Sequence, residues 1–183
     1  MAVINGTRIS AEVIQLELPE YGEAKTFIEN IYNDEDSIIQ TKFDENKINY
    51  NYDELGRITN RNINNCLNTN YSYVTNGCRT SLVVKSIDNN GDKYKYNYDV
   101  LGNITHIYHN GTLENEYFYD EYNQLIKEHN YILNNTIRYK YDNYGNILFK
   151  KTYKLNTYNQ LSQNIYEYKN VRLKDQLTKF NDD

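Results

Sequence analysis

The stretch "YKYNYDVLGNITHIYHNG", residues 94–111, decides how the whole chain reads. It sets Tyr94, Tyr96 and Tyr98 at alternate positions, follows with Asp99 and Gly102, and runs through a second apolar segment to Asn110-Gly111. In a strand, residues i and i+2 point to one face, so the alternate tyrosines make a stripe. Asp-x-x-Gly then suits a tight turn, with the Asp side chain bonding the backbone ahead of it and Gly closing. That last position is expected at positive φ, which Gly adopts without a Cβ clash. Asn-Gly between apolar runs is a hairpin signal. One copy reads as strand, turn, strand, turn.

The phrase returns as Tyr-x-Tyr-Asp-x-x-Gly-x-(Ile/Leu). Clear copies are "YNYDELGRI" (Tyr50, Tyr52, Asp53, Gly56), "YNYDVLGNI" (Tyr96, Tyr98, Asp99, Gly102) and "YKYDNYGNI" (Tyr139, Tyr141, Asp142, Gly145). In "YFYDEYNQL" (Tyr117, Tyr119, Asp120) Asn123 replaces the Gly, and in "IYNDEDSI" Asn33 and Asp36 replace the Asp and the Gly. Asn and Asp are the non-Gly residues that best tolerate the left-handed region, so these exchanges fit a positive φ. Two copies are degenerate: "YSYVTNG" keeps Tyr71 and Tyr73, and "YEYKNVRLKDQL" keeps Tyr166 and Tyr168. The second tyrosines fall at 32, 52, 73, 98, 119, 141 and 168. A period near 21 residues, repeated seven times, is the mark of a repeat architecture. The predicted fold is all-β: a repetitive antiparallel hairpin meander in a curved, twisted sheet, with residues 1–30 as N-terminal strands or a degenerate repeat and 31–183 as about seven repeats. Neighbouring copies are expected to stack their tyrosines in rows, each aromatic pair contributing ~0.2–1 kcal/mol. One segment pulls the other way. In "PEYGEAKTFIENIY" Tyr21, Ala24, Ile28 and Ile31 follow a helical spacing, which leaves a short helix as an alternative there.

The composition agrees with many strands and many turns: 21 Tyr, 30 Asn, 1 Pro and no Trp in 183 residues. The net charge of −5 comes from interspersed acids and bases. No basic run of the kind a phosphate backbone needs is present, which argues against a nucleic-acid partner. No apolar run approaches the ~20 residues of a membrane span, and "MAVINGTRIS" does not read as a signal peptide. Cys66 and Cys78 match no zinc or redox spacing and leave either a hairpin disulfide or two thiols.

The sequence carries no recognisable catalytic, cofactor or metal site. Each motif Asp is read as a turn cap, since single carboxylates one repeat apart do not converge on a cation. His106 and His109 are three apart and face opposite sides of a strand, and His129 stands alone; all three read as exposed or half-buried strand residues. No Gly-x-Ser-x-Gly or phosphate loop occurs. The sequon Asn103-Ile104-Thr105 is expected by chance in an Asn-rich chain. Tyrosine is amphipathic, so exposed rows offer a platform for sugars, whereas covered rows are a packing layer. A glycan- or cell-surface-binding adhesion module is therefore the alternative to a purely structural role.

The Tyr-Asp pairs Tyr52-Asp53, Tyr98-Asp99, Tyr119-Asp120 and Tyr141-Asp142 resemble the YD-repeat, or Rhs-repeat, family. The likeness runs from about Ile31 to the end and is nearest to bacterial wall-associated and polymorphic-toxin members, in residues 82–105 and 166–181 above all. The resemblance implies a β-ribbon spiralling into a hollow shell, secreted or at the cell surface, that encloses or delivers a C-terminal toxin. Related repeats occur in insecticidal toxin complexes and in teneurins. Partners implied are adjacent YD repeats and a toxin cargo. The sequence departs from that pattern where the self-cleaving core carries Asp-Pro-x-Gly: the one proline here is Pro19. Seven copies amount to roughly fourteen strands, or ~65 Å of sheet, so the chain is expected to be a segment of such a shell.

Overall fold

The computed structural model describes residues 2–4, 7–18, 22–76 and 79–181, with side chains described for 28–75 and 81–181. Sixteen strands and no helix are found among the described residues. The chain divides into two compact units, Met1–Lys93 and Tyr94–Asp183. The first carries β1 (Ala2–Ile4), β2 (Thr7–Leu18), β3 (Gly22–Tyr32), β4 (Ile38–Phe43), β5 (Asn46–Tyr52), β6 (Ile58–Ile63), β7 (Leu67–Asn76) and β8 (Arg79–Asn89). The second carries β9 (Asp92–Tyr98, which begins just before the boundary), β10 (Ile104–His109), β11 (Thr112–Tyr119), β12 (Leu125–Asn130), β13 (Asn135–Tyr141), β14 (Ile147–Lys154), β15 (Gln160–Glu167) and β16 (Lys179–Phe180). Within each unit every strand pairs antiparallel with the next in sequence, so the expected all-β meander is what the chain forms. The first and last strands of each unit do not pair, which leaves the sheet open.

The repeat has an internal irregularity that its sequence does not advertise. At the second tyrosine of five copies the ladder slips by one residue: Tyr32 pairs with Ile38, Tyr52 with Ile58, Tyr98 with Ile104, Tyr119 with Leu125 and Tyr141 with Ile147, each beside a register shift. A bulge of this kind sharpens the local twist and interrupts the ladder hydrogen bonds. It sits where the strand enters the Asp turn.

Chain reversals use the left-handed region throughout. The described non-Gly residues at positive φ are Asp36, Asp44, Asn64, Asn65, Asn90, Asn110, Asn123, Asn134, Asn156 and Asn181, all Asn or Asp. Much of the asparagine excess is thus turn chemistry, because these side chains lower the cost of αL. The Asn90-Gly91 and Asn110-Gly111 pairs both have φ > 0 at the two central positions, matching the twist of the flanking strands.

No hydrophobic side chain among the described residues is buried. The buried residues are polar: Thr69, His129 and Thr136. A single layer of sheet cannot do otherwise, since each side chain has neighbours beside it and none above. Stability here comes from ladders, turns and lateral side-chain contacts.

The helical alternative over 19–32 does not hold across 22–32, and residues 19–21 lie outside the described residues. Residues 22–32 form β3, which pairs over eleven residues with β2 and again with β4. Thr26, Phe27, Ile28, Ile31 and Tyr32 favour strand, and partners on both sides override a weak helical period. Cys66 is exposed in the β6–β7 turn, its N–H bonded to Ile63 O at 2.9 Å. Cys78, the other half of the possible disulfide, lies outside the described residues.

Gly56 has φ +72° with open space where a Cβ would stand. Strain, not crowding, is therefore what a substitution meets. Gly56→Val is expected to lose ~1–3 kcal/mol in urea unfolding. Gly56→Asn should lose less than half as much, following Asn123 at the equivalent position. Equal losses would show that the residue's φ does not matter.

Candidate functional site

The Asp turns repeat with the same hydrogen bonds. Asp53 Oδ1 accepts from the N–H of Leu55 (3.0 Å) and Arg57 (3.1 Å), and Asp53 O from Gly56 N–H (3.0 Å). Asp99 Oδ1 accepts from Leu101 and Asn103 (both 2.9 Å), Asp120 Oδ1 from Tyr122 and Gln124 (both 2.9 Å), and Asp142 Oδ1 from Tyr144 (2.8 Å) and Asn146 (3.0 Å). Asn33 does the same for Glu35 (3.1 Å) and Ser37 (2.8 Å) with an amide oxygen. The turn thus needs an acceptor oxygen on a short side chain, and either residue type supplies it.

The residue after the Gly position does two things. Arg57 Nε, Asn103 Nδ2 and Asn146 Nδ2 hold the second carboxylate oxygen at 2.7, 2.9 and 2.9 Å. The same side chains reach the following repeat: Arg57 Nη1 to Ser81 O (2.5 Å), Asn103 Nδ2 to Asn123 Oδ1 (3.1 Å) and Asn146 Nδ2 to Lys174 O (3.0 Å). These side-chain bonds, with backbone N–H donors, hold the carboxyls of Asp53, Asp99 and Asp142 below the ordinary aspartate range.

The second tyrosine of the motif carries a specific bond. Tyr52 Oη donates to Ile38 O (2.6 Å), Tyr73 Oη to Ile58 O (2.7 Å), Tyr119 Oη to Ile104 O (2.9 Å) and Tyr141 Oη to Leu125 O (2.8 Å). Each acceptor is the last residue of the preceding motif, beside the bulge, where a carbonyl is short of ladder partners. Every such phenol therefore staples its repeat to the one before. Tyr73 keeps the staple although its copy has lost the Asp. Burial raises the pKa of Tyr52, Tyr73, Tyr98, Tyr119 and Tyr141, which keeps the phenols protonated.

The expected stacking of motif tyrosines on one another needs correction. Equivalent strands are two apart, ~9.6 Å, beyond the 4.5–7 Å of ring contact. The intervening strand fills the gap: Arg61 pairs with Tyr50, Ile107 with Tyr96 and Glu128 with Tyr117. Glu128 also hydrogen-bonds Tyr139, whose pKa is pushed up to about 12, first by burial and then by that carboxylate. Burial raises the pKa of Glu128 itself, and Lys150 opposes the rise.

The histidines have separate surroundings. His106 Nε2 lies 3.6 Å from Glu116 Oε1, while His109 Nδ1 lies 2.9 Å from Glu114 Oε1 with its ring stacked on Tyr94 at 4.4 Å. His129 is buried, contrary to the expectation of an exposed or half-buried ring. It pairs directly with Thr136, Nδ1 to Oγ1 2.8 Å, under the edge of Phe118. Among the described residues no group of three or more His, Cys, Asp or Glu is placed to hold a metal ion.

Open aromatic rings lie at the turn tips instead of in the motif. Tyr122 and Tyr144 are 76% and 68% exposed, where other copies have Leu55 and Leu101. Between them lies a cleft of about 660 Å³, with Asp120, Gln124 and Asp142 at its polar edge. Sequence reasoning overlooked these tips because they fall at an x position of the motif.

No family model matches the chain, and no curated protein matches it by sequence. Its fold does have counterparts among solved structures. A chain in the crystal structure of TcdB2-TccC3-TEV matches with a TM-score of 0.63 at 16% identity, over 79% of this chain and 9% of that one. A chain in the Photorhabdus luminescens Tc holotoxin pore matches with a TM-score of 0.62 at 17% identity, over 78% and 8%. At these identities the likeness is one of fold. This chain spans less than a tenth of either counterpart.

Tyr119→Phe removes the staple to Ile104 O and is expected to cost ~0.5–1.5 kcal/mol in urea unfolding; no loss would remove the staple from the stability argument. Alkali tests the same bond at Tyr52, Tyr73, Tyr119 and Tyr141 together. A staple phenol with a raised folded pKa stabilises the fold fully below its unfolded value of 10.0, and that contribution is lost as pH climbs from there through the higher folded pKa. The thermal midpoint should fall over that window, in step with tyrosinate absorbance. Acid acts through the other side chain. Asp53, Asp99 and Asp142, with folded pKa values below 3.8, stabilise above that pH and stop doing so as pH falls beneath it. Asp99→Asn should therefore flatten the acid limb of a stability–pH curve.

Proposed function

We propose that the chain is a non-catalytic structural segment of a YD/Rhs-repeat protein, forming wall of a shell that encloses or delivers a toxin. The observation that carries this reading is a single-layered sheet without one buried hydrophobic side chain among the described residues. Such a sheet has two faces and open strand edges to cover, and adjacent repeats and an enclosed cargo are what cover them in a shell. The Tyr-Asp period and the shared fold with stretches of Tc toxin component chains support the same reading. A secreted or cell-surface parent protein follows from it, and no cofactor enters. Among the described residues no helix is long and apolar enough to cross a membrane.

A second reading rests on the turn-tip cleft. Asp120 bonds the backbone through Oδ1, and Gln124, longer than Asn103 or Asn146, is not among the side chains that clamp the second oxygen. A planar carboxylate and an amide between two open tyrosine rings is chemistry that suits a sugar, and it makes a glycan the alternative ligand. The motif tyrosines Tyr52, Tyr73, Tyr119 and Tyr141 are not the platform, since they spend their hydroxyls on carbonyls.

The deciding experiment joins the chain to whatever its gene encodes on either side and images the product by electron microscopy. Further Tyr-Asp repeats closing a hollow particle are expected. Flanking sequence without such repeats, together with a stable monomer of this chain alone, would overturn the shell. Tyr122→Ala with Tyr144→Ala abolishing retention on a glycan array would favour the second reading instead.

A further inference from the structure

The sequence shows no basic run, yet the sheet assembles a basic row. In the unit Tyr94–Asp183, Phe118 pairs with Lys127, Lys127 with Arg138, Arg138 with Lys151 and Lys151 with Gln163. Directly paired residues share a face of the sheet, so Lys127, Arg138 and Lys151 stand side by side on three consecutive strands. One pair further along, the same face carries Lys140 opposite Phe149. Like charges directly opposite each other destabilise a sheet. None of these four cations has a carboxylate among the ion pairs of the described residues. The near carboxylate on this face, Glu116, is engaged by His106 and by Tyr131 Oη (3.2 Å).

The aromatic rings hold the cations in place. Lys127 Nζ lies 3.5 Å from the Phe118 centroid, Lys151 Nζ 4.6 Å from Phe149, and the Arg138 guanidinium 5.7 Å from Tyr153 and 5.3 Å from Tyr158. Such contacts steady a cation without neutralising it. A cavity of about 520 Å³ lies at the Lys127–Arg138 part of the row, with Phe118, Ile126, Lys127, Arg138, Lys140 and Phe149 among its lining; Lys151 is outside it. Arg138 Nε is buried there without a hydrogen-bond partner. The positive field is felt nearby: after burial, Lys127 and then, more weakly, Arg138 help hold the His129 pKa down, against a pull from Glu116.

We propose that the row Phe118–Lys127–Arg138–Lys151 is a docking strip for a carboxylate-rich polypeptide segment lying extended across the strands. Charge complementarity selects the partner. Cross-strand neighbours are ~5 Å apart, so the three cations span ~10 Å, and acidic side chains at i and i+2 of an extended peptide, ~6.8 Å apart, fit within that span. The Arg138 guanidinium and two ammonium groups then gain charge-assisted bonds. Single-stranded nucleic acid needs aromatic faces for its bases, and here the rings already lie beneath cations. The strip stands whether or not the chain forms a shell wall.

The test uses the full chain and a fluorescein-labelled peptide of alternating Glu and Ser, followed by anisotropy at low salt. Saturable binding is expected, weakened about tenfold or more in Lys127→Gln/Arg138→Gln and lost as salt is raised. The same variant should unfold at a higher temperature than the parent, because the like-charge contact is gone. Lys151→Gln gives a second, milder loss of affinity if the double variant fails to fold. Unchanged affinity in the variants overturns the strip. So does equal binding of an alternating Gln and Ser peptide, or tighter binding of oligothymidylate.

Discussion

A sheet one layer thick has no interior, and every other feature of this chain follows from that constraint. Ordinary domains recover the entropy of folding by taking apolar surface out of water. Here no apolar side chain among the described residues leaves water completely. Cohesion is shifted to directional bonds repeated in register: an Asp or Asn oxygen inside each turn, a side chain from one turn to the next, and a phenol from one repeat to the carbonyl of the last. Such bonds contribute on the order of 1 kcal/mol each, so their number matters more than any single one.

The bulge and the staple belong together. In an uninterrupted ladder a carbonyl has only its second lone pair left to offer a phenol. The slip at Tyr32, Tyr52, Tyr98 and Tyr119 disturbs the pairing at one place per repeat, and the second tyrosine of the next copy reaches the carbonyl beside it. The loss of Asp in the Tyr73 copy, with the staple retained, shows that turn and staple are separable parts.

The turns were legible in sequence because their chemistry is local: the Asp, its N–H donors and the residue at positive φ lie within five positions. The strand order was legible for the same reason, since short turns force neighbours to pair. What lay beyond reading were contacts set by the lateral geometry of the sheet. Tyr119 finds Ile104 fifteen residues back, and nothing near Tyr119 says so. The tyrosines were expected to stack because they align in sequence, but a full strand intervenes between copies. His129 is buried by Thr136 and Phe118, neither of which is near it in sequence. Lys127, Arg138 and Lys151 are eleven and thirteen residues apart and become a row only when three strands lie side by side.

The staple also has a direction. In each described case the hydroxyl points from a later repeat to an earlier carbonyl, from Tyr52 to Ile38 and from Tyr141 to Leu125. A chain leaving the ribosome emerges in the same order. Each repeat is therefore left one bond short until the following tyrosine, roughly 21 residues later, has been made. Growth resembles a zipper whose newest tooth always waits for its successor, and a pause in synthesis exposes one unfinished repeat while those behind it stay closed.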